Sequence, residues 1–194
     1  MVIKKNLLTF VLIEQIVMKY FEEIEELARE LHGDQKRKYT GEPYVNHTVT
    51  VANIVKKHGG DEPMVYAAIL HDVLEDTPTA ENELMGLLMD IFDNYMISRD
   101  VVMLVKELTD VYVTENFPNT NRKGRKEMEA MRLGKVSPRA QTIKYADLLD
   151  NSRDIVYNDP KFAKVYLTEK EQILKYMTKG NKELYNKNLK LLSL

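Results

Sequence analysis

The tightest constraint on this chain is a heptapeptide, His71-Asp72-Val73-Leu74-Glu75-Asp76-Thr77, reached through the apolar run Ala67-Ala68-Ile69-Leu70. Such a run suits a buried helix, and it delivers four metal- or proton-handling side chains to one end of it. On a continuous helix residues four apart share a face, with Cβ atoms roughly 5–6 Å apart. The spacing therefore predicts His71 over Glu75 and Asp72 over Asp76. A neutral imidazole and an adjacent carboxylate can close on one divalent cation, and the next turn offers two more carboxylates to nearby water. Three carboxylates beside one histidine would repel each other without a cation between them. The bland alternative is a helix end with scattered acids, so the heptapeptide needs partners elsewhere.

The rest of the chain can house such a site. Its 194 residues are 44% hydrophobic and 30% charged, enough for a single domain over residues 1–194 with a sizeable core. Basic and acidic residues number 28 and 30, so no general polyanion-binding surface is implied, no nucleic-acid partner is expected, and phosphate recognition must be local. The absence of cysteine excludes thiolate metal sites and disulfides and fits a soluble, cytoplasmic protein. Lys4-Lys5 and the run Leu7–Ile13 resemble a short signal peptide, but Glu14 and Gln15 interrupt the run and no small-residue cleavage site follows. The run is too short to span a bilayer, and reads as the start of a core helix.

Helical spacing continues from Leu8 to Leu31, where His32-Gly33 marks a stop. Gln35 to Pro43 is a polar loop, followed by a helix from about Pro43-Tyr44 to His58, closed by Gly59-Gly60. Asp61 caps the next helix, with Pro63 near its start. Thr79 is the expected cap of a helix holding Leu84 and Leu88, and Ser98 of one holding Val101 to Leu108. After a loop over 109–120, the run Asn121-Arg122-Lys123-Gly124-Arg125-Lys126 sets cations at a helix start, where the dipole disfavours them. A bound anion would remove that conflict; a solvated helix start is the plainer reading. Ser137-Pro138 opens a helix carrying Asp147 and Asn151 one turn apart, Asp159-Pro160 starts another, Lys161 to Met177, and Gly180 precedes a short last one. No strand-like alternation, repeat or linker interrupts this pattern. The expected class is all-α, with about eight to ten helices.

Three motifs in order, Arg37-Lys38-Tyr39-Thr40-Gly41-Glu42-Pro43-Tyr44-Val45-Asn46-His47, Ala67 to Thr77, and Lys144-Tyr145-Ala146-Asp147, resemble the HD-superfamily hydrolase domain of RelA/SpoT homologues. The likeness is greatest to the single-domain small alarmone hydrolases and covers roughly residues 20–160, leaving the C-terminal helices, 160–194, outside it. The resemblance implies an α-helical fold around one divalent cation, usually Mn²⁺, held by His47, His71, Asp72 and Asp147. Glu75 and Asp76 match the family's catalytic pair, Arg37 and Lys38 its basic residues at the nucleotide pocket, and Asn151 an asparagine one turn beyond the last ligand. The implied reaction removes pyrophosphate from the 3′ position of guanosine tetra- or pentaphosphate (ppGpp or pppGpp). Three positions depart from the pattern: Thr48 replaces a proline, Leu148 a basic residue and Asp150 a histidine.

The chemistry of these side chains agrees with the resemblance. Two imidazoles and two carboxylates suit Mn²⁺, Fe²⁺ or Zn²⁺ with positions left for water and substrate, and a cation lowers the pKa of water it holds. Glu75 and Asp76 could then handle protons, while Arg37, Lys38, Arg122 and Lys123 neutralise phosphates. A phosphorylated nucleotide is the expected small-molecule partner. A different phosphorylated nucleotide, such as a 3′-phosphorylated adenine nucleotide or NADPH, is the second reading. A non-catalytic nucleotide sensor is the third, disfavoured by Glu75-Asp76, which a sensor does not need.

Overall fold

The structure, a computed structural model, describes residues 19–192. The helix expected to start near Leu8 therefore falls partly outside the described residues. The regular elements among those residues are helices, the one β feature being an isolated antiparallel bridge between Lys36 and Pro43. Helix α1 runs over 19–32. It is followed by α2 (Val45–Lys57), α3 (Glu62–Leu70), the single turn α4 (Val73–Asp76), α5 (Glu81–Phe92) and α6 (Tyr95–Leu108). The C-terminal half comprises α7 (Arg122–Leu133), α8 (Pro138–Asn158), α9 (Pro160–Tyr176) and α10 (Lys182–Leu191).

Helix α3 is the axis of the molecule. Every residue from Met64 to Leu70 is buried, as expected of a helix apolar on all sides. Asp61 starts it by accepting a hydrogen bond from the Met64 amide at 3.0 Å. Around it pack α2, α6 and α8, and their inward residues Val51, Val55, Val101, Val105, Ile143 and Ala146 join it in one hydrophobic core. The 21-residue α8 is about 30 Å long at 1.5 Å per residue, so it touches α2, α3, α6, α9 and α10. Ser137 caps it through the Ala140 amide, with Pro138 in the first turn. Gly59, at φ 80°, lets the chain turn out of α2, a conformation that costs a side-chain-bearing residue about 1 kcal/mol or more.

Two expected starts and one expected continuity are corrected. Helix α5 begins after Ala80 rather than Thr79, whose hydroxyl is engaged with that of Thr77 at 2.8 Å. Helix α6 begins after Asn94, four residues before Ser98. The Asn94 carboxamide accepts from the Met96 and Ile97 amides, and Ser98 sits inside the first turn, donating to the Asn94 carbonyl. Helix α9 starts at Pro160 behind an Asp159 cap, as expected. Most consequential, the helix carrying the heptapeptide breaks at His71-Asp72. The Glu75 amide bonds the Asp72 carbonyl at 3.1 Å instead of the carbonyl of His71, so His71 does not stand over Glu75.

Candidate metal centre

The break puts His71 at the end of α3 and Asp72 at the start of α4, opposite His47 in the first turn of α2 and Asp147 midway along α8. His47, His71 and Asp147 are all nearly inaccessible, at 2, 2 and 3% exposure. Their donor atoms lie within 4.8 Å of one another. Asp147 Oδ1 is 3.3 Å from His47 Nε2 and 3.8 Å from His71 Nε2. Asp72 Oδ2 is 3.0 Å from His71 Nε2 and 4.0 Å from His47 Nε2. Ligands of one ion at about 2.0–2.2 Å stand roughly 3–3.5 Å from their neighbours, so this spacing suits a common cation.

Each imidazole is held in one tautomer. His71 Nδ1 donates to the Ala68 carbonyl at 2.9 Å, and His47 Nδ1 to Asp150 Oδ2 at 2.7 Å. Both Nε2 atoms are then left without hydrogen-bond partners in a buried site, facing carboxylate oxygens. Lone pairs turned towards anions require positive charge between them. Protonation shows the same demand. Burial alone would lower the His71 pKa, but Asp72 and Asp147 outweigh it and raise it to about 10. His47 is raised in the same way by Asp147 and Asp150 against its burial. Burial would raise the Asp147 carboxyl, yet Lys144 and the two histidines hold it well below the usual range. A divalent cation replaces those protons with charge fixed among two nitrogens and two oxygens, so the residues fit a resident metal.

A surrounding layer orients the ligands. Tyr44 donates its hydroxyl to Asp72 Oδ2 at 2.6 Å, Lys144 pairs with Asp147 Oδ2 at 2.8 Å, and the Asn151 amide donates to Asp147 Oδ1 at 2.5 Å. Asp150 serves two partners, His47 and Arg37, the latter at 2.8 Å. Arg37 also places Nε and Nη2 on Asp154 and is held there by the Lys36–Pro43 bridge and a turn at Gly41, φ 71°. Its charge is spent inside the protein. The motifs give Asp150, a departure in the sequence, and Tyr44, within the first motif, no part in holding the ligands, yet the two bond His47 and Asp72. Asp150, three residues after Asp147 on one helix, carried the only local signal.

Glu75 and Asp76 flank the centre without pairing with its histidines. Glu75 Oε2 accepts from the Asp110 amide at 3.0 Å; desolvation in the cleft, then the Asp110 carboxylate, push its carboxyl up to about 7 against the pull of Lys144. Asp76 accepts from the Gln35 carboxamide at 2.8 Å, and Gln35 in turn engages His32. Lys38 remains exposed, its ammonium 5.8 Å from the centre of the Phe162 ring. Arg122 reaches the same ring at 5.8 Å, so α9 brings together two basic segments far apart in sequence. Arg122 is bidentate to Glu169 at 2.7 and 2.9 Å, and Lys126 pairs with Asp110 at 2.9 Å. These carboxylates relieve the clash with the α7 dipole that suggested a bound anion. Lys123 is exposed. Arg122, Lys123, Lys126 and Lys164 border a groove of about 790 Å³ between α7 and α9. At Lys126 and Glu169 it meets a cavity of about 120 Å³ that reaches Asp147.

The fold and this centre define an all-α chain built around a buried site of two histidines and two aspartates. The chain belongs to the HD domain family, whose profile matches residues 25–176. A guanosine-3′,5′-bis(diphosphate) 3′-pyrophosphohydrolase MESH1 of Drosophila melanogaster is 37% identical over 132 residues, 66% of this chain and 65% of that protein. The human protein of the same name is 33% identical over 136 residues, covering 69% and 68%. The chain thus spans about two thirds of the length of these relatives, and 18% of a longer Aquifex aeolicus pyrophosphohydrolase that is 33% identical. A solved structure described as a metazoan ortholog of SpoT that hydrolyses ppGpp superposes with a TM-score of 0.74 at 30% identity, over 90% of this chain and 94% of that one. No described helix is long and apolar enough to cross a membrane.

Proposed function

We propose that the chain is a metal-dependent hydrolase that removes the 3′-pyrophosphate of ppGpp or pppGpp, giving GDP or GTP and inorganic pyrophosphate. The observation that carries this reading is the pair of buried, unpartnered Nε2 atoms of His47 and His71 turned towards Asp147 and Asp72, beside a carboxyl, Glu75, poised near neutral pH. The names of the relatives supply the substrate. His47, His71, Asp72 and Asp147 would hold one cation; the mixed nitrogen and oxygen set suits Mn²⁺, Fe²⁺ or Zn²⁺, and the family resemblance makes Mn²⁺ the expected ion. When bound, that cation supplies Lewis-acid charge for a phosphoryl oxygen and makes water more acidic.

The remaining work falls to the chain. Glu75 in its ionised form takes a proton from water as the water oxygen attacks the phosphorus on the 3′ oxygen. The P–O bond to the ribose breaks, the 3′ oxygen gains a proton, and pyrophosphate leaves. Asp76, braced by Gln35, holds water or passes protons at the same edge. Asn151 keeps Asp147 aimed, and Arg37 keeps Asp150 and thereby His47 in place. Lys38 and Arg122 beside Phe162, with Lys123 at the border of the α7–α9 groove, offer a cationic rim for the other phosphates. The protein is read as one domain acting in the cytoplasm. The test is to incubate Mn²⁺-loaded protein with ppGpp, pppGpp, a 3′-phosphorylated adenine nucleotide and NADPH and to identify products by mass spectrometry. GDP and GTP are expected from the first two. Turnover of NADPH alone would replace the substrate, and no turnover by metal-loaded protein would overturn the hydrolase reading.

A further inference from the structure

Helix α9 carries a lysine at a position the core would otherwise fill with an apolar side chain. Lys170 is 1% exposed, on a helix packed against α8. Its ammonium has one hydrogen bond, to the Ser152 hydroxyl at 2.6 Å, and no carboxylate within ion-pair distance among the described residues. A charge so placed is costly to bury unless something of opposite sign completes it, and its burial pushes its pKa down to about 8. Lys170 lines the 120 Å³ cavity that reaches Asp147, together with Asn151 and Tyr166.

The acids around that cavity already have partners. Asp110 is paired with Lys126, Glu169 with Arg122, Asp147 with Lys144, and Glu129 with Arg132 and the amides of Val111 and Tyr112. Among the described residues Lys170 is therefore the cation of this cavity with no carboxylate at ion-pair distance, Asp147 attracting it only from farther off, and the cavity touches the centre where a phosphoryl group would be cleaved. We infer that Lys170 is a binding residue for the pyrophosphoryl arm of the substrate, its ammonium donating to a phosphoryl oxygen that enters the cavity beside Asp147. The inference rests on the phosphorylated-nucleotide reading of the site. A purely structural lysine, held by Ser152, would leave anion affinity untouched when replaced.

The probe is inorganic pyrophosphate, titrated calorimetrically into Mn²⁺-loaded protein, wild type and Lys170→Met. Methionine keeps the unbranched stem and removes the charge. Affinity should fall roughly 10- to 100-fold, the scale of one charge-assisted hydrogen bond, with metal content and helical circular dichroism unchanged. Affinity within twofold of wild type overturns the inference, as does a wild type that binds no pyrophosphate. A crystal of the wild-type protein with manganese and pyrophosphate decides it even if the variant does not fold. An anion oxygen within about 3.2 Å of Lys170 Nζ is expected, and an anion bound clear of Lys170 refutes the role. Pyrophosphate carries no nucleoside, so a Lys170 effect would survive failure of ppGpp as substrate. Loss of that effect would leave the pyrophosphohydrolase reading standing.

Discussion

Asp150 offers the sharpest separation of ligand from support. Its Oδ2 accepts from His47 Nδ1 at 2.7 Å and from Arg37 at 2.8 Å, and it is not itself placed to reach the cation. Replacing it with alanine frees the His47 ring to rotate and to change tautomer, so metal affinity should fall by the 10- to 100-fold typical of removing a ligand's orienting partner, or about 1.4–2.7 kcal/mol. Stability should suffer less than a buried-charge deletion, because Arg37 keeps two hydrogen bonds to Asp154; about 1–2 kcal/mol is the expected cost of its lost partner. Asp150→Asn keeps an acceptor for Nδ1 and should lose no more than about tenfold in affinity. Competition with a chelator of known affinity measures the first effect and urea unfolding of metal-free protein the second. An Asp150→Ala protein that binds metal within twofold of wild type would refute the orienting role.

Glu75→Gln should retain metal and lose about 10²-fold or more in kcat. In the wild type log kcat/KM should rise with pH until Glu75 ionises. Its carboxyl is pushed up to about 7 and a bound cation draws it down, so the limb should lie at or below pH 7; the same limb in the Gln variant would exclude Glu75 as the base. Asp76→Asn should likewise keep its metal, and metal loss on elemental analysis would move Asp76 among the ligands. The double variant Arg122→Ala, Lys123→Ala should raise KM more than it lowers kcat, with a shallower salt dependence; an unchanged KM across a salt series would return both residues to the surface. Lys170 titrates near 8 in the fold against an ordinary 10.5. The unfolded chain thus binds its proton more tightly, and stability should rise from pH 8 to pH 10.5, a dependence that Lys170→Met removes from a urea-unfolding series.

Helix order was readable where the sequence marks it with local chemistry. Asp61 ahead of Pro63, Ser137-Pro138 and Gly59-Gly60 each act through a hydrogen bond or torsion within a few residues, and each stands where expected. The break at His71-Asp72 carries no such mark. Neither glycine nor proline stands there, and Val73 and Leu74 continue the apolar spacing, so only the tertiary hydrogen bond of Tyr44 to Asp72, with the His71 ring turned back on the Ala68 carbonyl, reveals it. Ser98 misled because it resembles a cap, whereas Asn94, followed by exposed Met96, is the residue that makes the cap bonds. In the site, residue types and order announced a metal centre. The pairings of Arg37 with Asp150 and Asp154, and of Arg122 with Glu169, span 113, 117 and 47 residues. They are properties of the assembled fold, out of reach of spacing.

The central claim is tested most directly by the phosphorus product released from ppGpp by the metal-loaded protein, followed by ³¹P NMR alongside Asp147→Ala. The account predicts inorganic pyrophosphate and GDP in equal amounts from the wild type. Asp147→Ala should keep its helical content, lose its metal and release neither. Stepwise appearance of orthophosphate, or full metal occupancy and undiminished turnover in Asp147→Ala, would contradict it.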